Sequence, residues 1–284
     1  MDNKVVLISD IPGYGKVALN AQMPILSAQG FDLFNLPTAL VSNTLNYGRF
    51  EILDTTDYMA RTLKVWDELG FSFQGISIGF VISEAQLELI RHFVDTQRQK
   101  QQAQPQTPST APIYVALDPI MGDRGQLYNG ITTERVPIMR EVAKLADLIT
   151  PNLTEATYLA DYLVGRTALT SQEAQELAQR LYDLTGATTV ITSVQDADSG
   201  EHAIVVHDGE HITFLPYQQI PGQVPGTGDI FSALLLGKLL KHRPLIPAVR
   251  QTADQLSYLL EQHYAERNAT WGIPLERYLS ELDY

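Results

Sequence analysis

The sequence predicts one α/β domain built on a largely parallel sheet, and three observations carry that reading. Strand-length apolar runs at residues 5–8, 34–41, 75–78, 113–117 and 188–193 are interleaved with helical stretches along most of the chain. The 284 residues and the 44% hydrophobic content are enough for one large core, so residues 1–284 are read as a single domain. Only one hairpin signal interrupts the alternation, an Asp208-Gly209 turn between runs 203–206 and 211–215.

Taken in order, residues 5–8 form a buried strand. Pro12, Gly13 and Gly15 break it, and residues 17–28 are helical up to Gly30. The pair Gly15-Lys16 does not make a P-loop, because that motif needs Gly at position 10 and Ser or Thr at 17, where the chain has Asp10 and Val17. The strand 34–41 leads into the polar segment Ser42 to Gly48, followed by a helix at 57–69 and the strand 75–78. Ser83 with Gln86 reads as a capping box for a helix over 83–99, on which His92 is a solvated residue. Residues 99–112 (QKQQAQPQTPSTAP) read as an exposed low-complexity loop. The strand 113–117 ends at Asp118-Pro119, and Gly122, Gly125 and Gly130 leave the following loop poorly tethered, as in a mobile lid. A helix over 135–146, a strand end at Asp147 to Thr150 stopped by Pro151, and a helix reaching about residue 163 come next. Thr170 with Glu173 is a second capping box, opening a helix through 184 before the strand 188–193. After the hairpin comes a long apolar helix beginning near Gly226. Helices at 247–264 and 274–282 then close the chain, their Tyr, Leu and Trp271 content reading as packing.

Composition excludes several classes. A formal net charge of −13 argues against nucleic acid and anionic membrane as partners, so a bound nucleotide must be held by amides and metal ions. With no cysteine, neither disulfides nor thiolate chemistry is available. Lys4 is followed only by a strand-length run, and no apolar run reaches the roughly 18 residues of a membrane helix, so a soluble cytoplasmic protein is expected.

The sharpest motif is Gly226-Thr227-Gly228-Asp229 at the start of the apolar helix. A helix N-terminus presents unpaired N–H groups and a partial positive charge to an anion. Asp229 there is either an ordinary N-cap or the group that meets a substrate hydroxyl beside a bound phosphate. Asp118, Asp123 and Glu155 are hard oxygen donors suited to Mg²⁺, while Asn152, Thr192 and Ser193 can hydrogen-bond phosphate oxygens. Their blocks run in the order Asp-Pro-x-x-Gly-Asp, Thr-Pro-Asn-x-x-Glu, Val-Ile-Thr-Ser and Gly-Thr-Gly-Asp, and in that order they resemble the ribokinase-like kinases over residues 5 to 240. Ser42-Asn43 followed by Tyr47-Gly48 resembles the pyridoxal kinase branch.

That resemblance implies a three-layer ribokinase-like fold, with helices on both faces of the sheet, and an ATP- and Mg²⁺-dependent kinase. A monovalent cation such as K⁺ is a possible further cofactor, and a homodimer is expected. It assigns Asp229, Gly226, Thr227 and Gly228 to catalysis, and Asp118, Asn152, Glu155, Thr192, Ser193, Gly226 and Gly228 to ATP. Asp118, Asp123 and Glu155 fall to the metal, and Ser9, Asp10, Thr44, Tyr47 and Asp229 to the acceptor. The chain departs from the branch in having Asp10 where a Ser is usual, Thr44-Leu45-Asn46 in place of His-Thr, and Phe80 without a tyrosine hydroxyl. The expected reaction is phosphorylation of the hydroxymethyl group of a vitamin B6 ring (pyridoxal, pyridoxine or pyridoxamine), with hydroxymethylpyrimidine as the alternative acceptor. A non-catalytic vitamin or nucleotide sensor is the alternative from another class, and the intact Gly226–Asp229 block speaks against it.

Overall fold

The computed structural model describes residues 3–103, 112–265 and 271–282. A nine-stranded sheet runs through it in the order β11-β10-β9-β8-β5-β4-β1-β2-β3. Its strands are β1 (Lys4–Pro12), β2 (Asp32–Val41), β3 (Ile52–Asp54), β4 (Gly75–Ile78), β5 (Tyr114–Leu117), β8 (Leu148–Ile149), β9 (Thr188–Gln195), β10 (His202–His207) and β11 (Ile212–Tyr217). A separate hairpin pairs β6 (Gly122–Asp123) with β7 (Gln126–Leu127). The central strands β2, β1, β4, β5, β8 and β9 are parallel, whereas β3, β10 and β11 are antiparallel to their neighbours. The expected largely parallel sheet is present.

Helices cover both faces, as the three-layer expectation requires. Alternation along β1 shows why: Val5 and Leu7 join one core, and Val6 and Ile8 the other. The first core lies under α1 (Leu19–Ala28), α7 (Thr227–Leu240) and α8 (Leu245–Ala265). The second lies under α2 (Thr56–Glu68), α3 (Glu84–Gln102), α4 (Arg135–Ala143), α5 (Leu153–Ala160) and α6 (Ser171–Thr185).

Several local expectations change. Ser83 does cap α3, accepting from the Gln86 amide at 3.3 Å, but the Gln86 side chain accepts from Ile82 rather than returning to Ser83, and its amide donates to the Thr38 carbonyl. Helix α3 continues through Gln102, so the start of the expected low-complexity loop is helical; residues 104–111 lie outside the described residues. The 274–282 segment forms two short 3₁₀ turns, Leu275–Arg277 and Leu279–Glu281, instead of a closing helix. Helix α5 ends at Ala160, and left-handed Asp161 and Leu163 turn the chain away. The glycine-rich loop after β5 is tied down. It forms the β6–β7 hairpin, Gly122 accepts from the Asn152 side chain at 2.8 Å, and the Gly125 amide donates to the Thr154 hydroxyl at 2.7 Å.

Candidate active site

Ile8, Ile78, Leu117 and Ile149 lie in one row across the parallel strands, so the residues just past them share the carboxyl edge of the sheet. Asp10, Asp118, Thr150, Asn152, Thr192 and Ser193 collect there and line one cavity of about 670 Å³. The N-terminus of α7 enters the same cavity with Gly226, Thr227, Gly228 and Asp229.

Gly226 is the N-cap of α7, at φ 87°, and no side chain caps this helix end. A Cβ on Gly226 would stand 2.1 Å from the Lys16 carbonyl oxygen, so only glycine fits this turn. Asp229 is therefore not the cap. It sits on the first turn, 7% exposed, and its Oδ1 is buried without a hydrogen-bond partner. Burial pushes its carboxyl up to about 6, while the Ala18 amide and then the Gln22 side chain act to hold it down.

Asp118 lies across from it. Burial, and then the charge of Asp229, push the Asp118 carboxyl up to about 8, opposed by the Ser232 hydroxyl that donates to Oδ2 at 3.1 Å. Ser232 also meets the Thr150 hydroxyl at 2.8 Å, which ties α7 to the end of β8. Glu155 is 3% exposed, and it accepts from the amides of Met121 at 3.1 Å and Asn152 at 2.9 Å. Burial and then Asp118 raise its pKa, against those amides. Asn152 completes a capping box on α5 by accepting from the Glu155 amide, and its amide group holds the Gly122 carbonyl.

Three buried carboxylates in a row, Asp229 raising the pKa of Asp118 and Asp118 that of Glu155, with Asp229 Oδ1 unpaired, are a donor set that fits a cation beside the phosphates it would accompany. The expected trio of Asp118, Asp123 and Glu155 does not close into a ready-made cluster, and among the described residues no three His, Cys, Asp or Glu side chains do. The reasons are local. Both Glu155 oxygens are taken by amides, and Asp123, 38% exposed, turns its carboxylate toward the Arg124 backbone and guanidinium.

Comparison with known proteins agrees with this architecture. The family model described as phosphomethylpyrimidine kinase matches residues 38–270. The chain belongs to the phosphomethylpyrimidine kinase family. It is accordingly a kinase, a phosphotransferase acting on an alcohol group, of ribokinase-like fold with pyridoxal kinase-like relatives. A pyridoxal kinase of Rubrobacter xylanophilus is 29% identical over 91% of this chain and 87% of its own. A hydroxymethylpyrimidine/phosphomethylpyrimidine kinase of Aquifex aeolicus is 26% identical over 65% of this chain and 66% of its own. A solved structure from Bacteroides thetaiotaomicron, described as a phosphomethylpyrimidine kinase in a crystal form with pyridoxal, has a TM-score of 0.86 at 30% identity. It covers 99% of this chain and 96% of its own.

Against that family background, most of the site residues expected from the sequence do share the cavity. The acceptor end holds Asp10, Thr44 and Phe80. Burial and then Asp229 push the Asp10 carboxyl up to about 7, against its own amide and Ser9. Thr44 is 4% exposed and its hydroxyl is without a partner. Two expected acceptor residues are not brought in. Ser9 is buried under Gly79 with its hydroxyl accepting from the Phe80 amide at 3.1 Å, so it shapes the wall from behind. Tyr47 is 51% exposed, faces the Tyr14 ring at 6.2 Å and does not line the cavity. Other residues were not read as site residues. Ser232 lies three residues after Asp229, a spacing that could have revealed it. Tyr128 lines the cavity among Glu155, Asp123, Asp118 and Asp229; burial and those charges drive its pKa upward, so it stays a neutral hydroxyl. Leu256, Ser257, Leu260 and Tyr264 of α8, read from sequence as packing, also line the cavity.

Proposed function

We propose that this chain transfers the γ-phosphoryl group of ATP to the hydroxymethyl group of pyridoxal, pyridoxine or pyridoxamine, as a cytoplasmic enzyme of vitamin B6 salvage. One observation carries the reading: Asp229, uncapped and partnerless at Oδ1, stands at an amide-rich helix start between two unlike ends of one cavity. At one end Asp10, Thr44 and Phe80 suit a flat ring with polar substituents, and at the other Thr192, Ser193 and α8 suit a nucleotide. In this reading Asp229 takes the proton of the acceptor hydroxyl as it attacks, and the amides of Gly226 to Gly228 face the charge building on the transferred group. Asp118 and Glu155 would hold Mg²⁺, which when bound neutralises phosphate charge.

The B6 reading draws support from the R. xylanophilus relative, which spans most of this chain, and from the pyridoxal form of the B. thetaiotaomicron protein. A second reading, hydroxymethylpyrimidine as acceptor, is favoured by the family description and the A. aeolicus relative. Both acceptors are flat heteroaromatic rings bearing a hydroxymethyl group, so the mechanism is shared. A coupled ADP-release assay across the three vitamers and hydroxymethylpyrimidine separates them. The vitamers should give the higher kcat/KM. The reverse order would reassign the acceptor, and no turnover with any of the four would favour a sensor.

A further inference from the structure

The geometry points to Gln22 as a positioning residue: its carboxamide, with the backbone amide of Ala18, forms a clamp that orients the Asp229 carboxylate toward the acceptor. The inference deepens the proposed function, since it rests on Asp229 being the base.

Gln22 lies on α1 and is 1% exposed. Its Oε1 accepts from the Ser77 hydroxyl of β4 at 3.1 Å. Nε2 is then the end left over, buried without a hydrogen-bond partner. Asp229 Oδ1 is buried without a partner too, at the start of α7, which packs on the chain entering α1: a Cβ on Gly226 would stand 2.1 Å from the Lys16 carbonyl oxygen. No hydrogen bond joins the two side chains in this structure, although Gln22 acts to hold the Asp229 pKa down. A buried donor and a buried acceptor left without partners are costly unless something closes them. Catalytic hydrogen bonds are often long before substrate arrives and tighten in the reacting complex.

Ala18 supplies an independent sign. It has φ 49° and ψ −132°, a conformation that suits glycine, although it carries a side chain and is 3% exposed. Its carbonyl starts α1 by accepting from the Ala21 and Gln22 amides, and its own amide acts on the Asp229 carboxylate. Strain of this kind persists where the surroundings require it, and it gathers at functional sites. A purely structural Gln22, bonded to Ser77 and nothing more, explains neither the idle Nε2 nor the strained residue four positions earlier. As a clamp, both follow: the start of α1 and the start of α7 converge on one carboxylate.

The test is a double-mutant cycle on turnover, using whichever acceptor of the four-compound panel reacts fastest. Gln22→Met keeps length and removes the donor. It should lower kcat about 10- to 100-fold, as expected for one hydrogen bond to a charged group, with both KM values within about threefold. In the Asp229→Asn background the same change should cost less than about threefold, because there is no carboxylate left to orient. Ser77→Ala leaves the donor but frees the far end of the carboxamide, so a smaller loss of kcat, about 3- to 10-fold, is expected. A Gln22→Met enzyme with kcat within twofold of the parent would overturn the clamp, and so would an equal loss in both backgrounds. If Gln22→Met does not fold, full turnover by Ser77→Ala overturns it instead. Asp229→Asn that turns over like the parent would fail the base assignment itself, an outcome read separately from the Gln22 variants.

Discussion

Asp229 owes its setting to side chains far from it in sequence as much as to its own glycines. Gly226-Thr227-Gly228 was legible from the sequence because helix starts leave local signals, and so was Asp229 itself. What surrounds the carboxylate was not legible: Asp118, Ala18 and Gln22 come from other strands and helices, and nothing near residue 229 predicts them. The same holds for Ser9 and Tyr47. Both sit beside true cavity residues in sequence, yet Ser9 points behind the wall and Tyr47 outward. Asp229→Asn keeps the shape, and since Gly226 is the cap, helix α7 should form as before. Turnover should fall by roughly 10²–10⁴-fold with modest KM changes. Steady-state kinetics showing only a few-fold loss would remove the general base. At Ala18 the prediction is about stability. Ala18→Gly relieves a backbone strain of order 1–3 kcal/mol at the cost of about 0.4–1 kcal/mol of extra unfolded-state entropy. Its melting temperature should therefore be no lower than that of the parent, and a clear drop would mean that Ala18 is not strained.

At the scale of elements, two capping boxes with the same sequence signal have different fates. Thr170 and Glu173 cap α6 and do not line the cavity, which Glu173 meets only through its ion pair with Arg166. Asn152 and Glu155 cap α5 inside it, and Asn152 also holds the hairpin through the Gly122 carbonyl. Thr170→Ala should cost about 1 kcal/mol of stability and leave kinetics alone. Asn152→Ser keeps a good cap but loses the hold on Gly122, so stability should change little while kcat/KM for MgATP falls about tenfold. Equal kinetic effects of the two changes would deny the hairpin a role. Helix and strand existence was legible because periodicity and caps are local properties. The errors fell where tertiary contacts decide: the glycine-rich loop became a tied hairpin, and the 274–282 segment became 3₁₀ turns against the first core. For the homodimer expected from the sequence, we propose the β3 edge of the sheet as the interface. Leu40 of β2 and Leu53 of β3 are paired in register and 44% and 61% exposed, an apolar edge of the kind that a second copy covers. Light scattering at micromolar concentration should give twice the chain mass, and a monomer would refute the edge as an interface.

For the whole molecule, the cost of gathering carboxylates in one cavity should appear as a dependence of stability on pH. In the unfolded chain Asp10, Asp118 and Asp229 lose their protons near 3.8, whereas in the fold they keep them until about 7, 8 and 6. The folded state therefore binds more protons across that window, and stability falls as pH rises from about 5 to about 8. Groups such as Asp196 and Asp208, whose pKa is lowered by amides, act with the opposite sign only at more acidic pH. The net charge of −13 adds repulsion in the same direction as the buried carboxylates. Without ligand, the melting temperature should drop on the order of 10 °C between pH 5 and pH 8. A cation bound among these groups offsets the cost only where they are ionised, so millimolar Mg²⁺ with ATP should raise the melting temperature more at pH 8 than at pH 5. Asp118→Asn should flatten the ligand-free slope and shrink the difference made by Mg²⁺. A flat melting profile in the parent, or a Mg²⁺ effect equal at both pH values, would mean that the buried carboxylates are not the cation site.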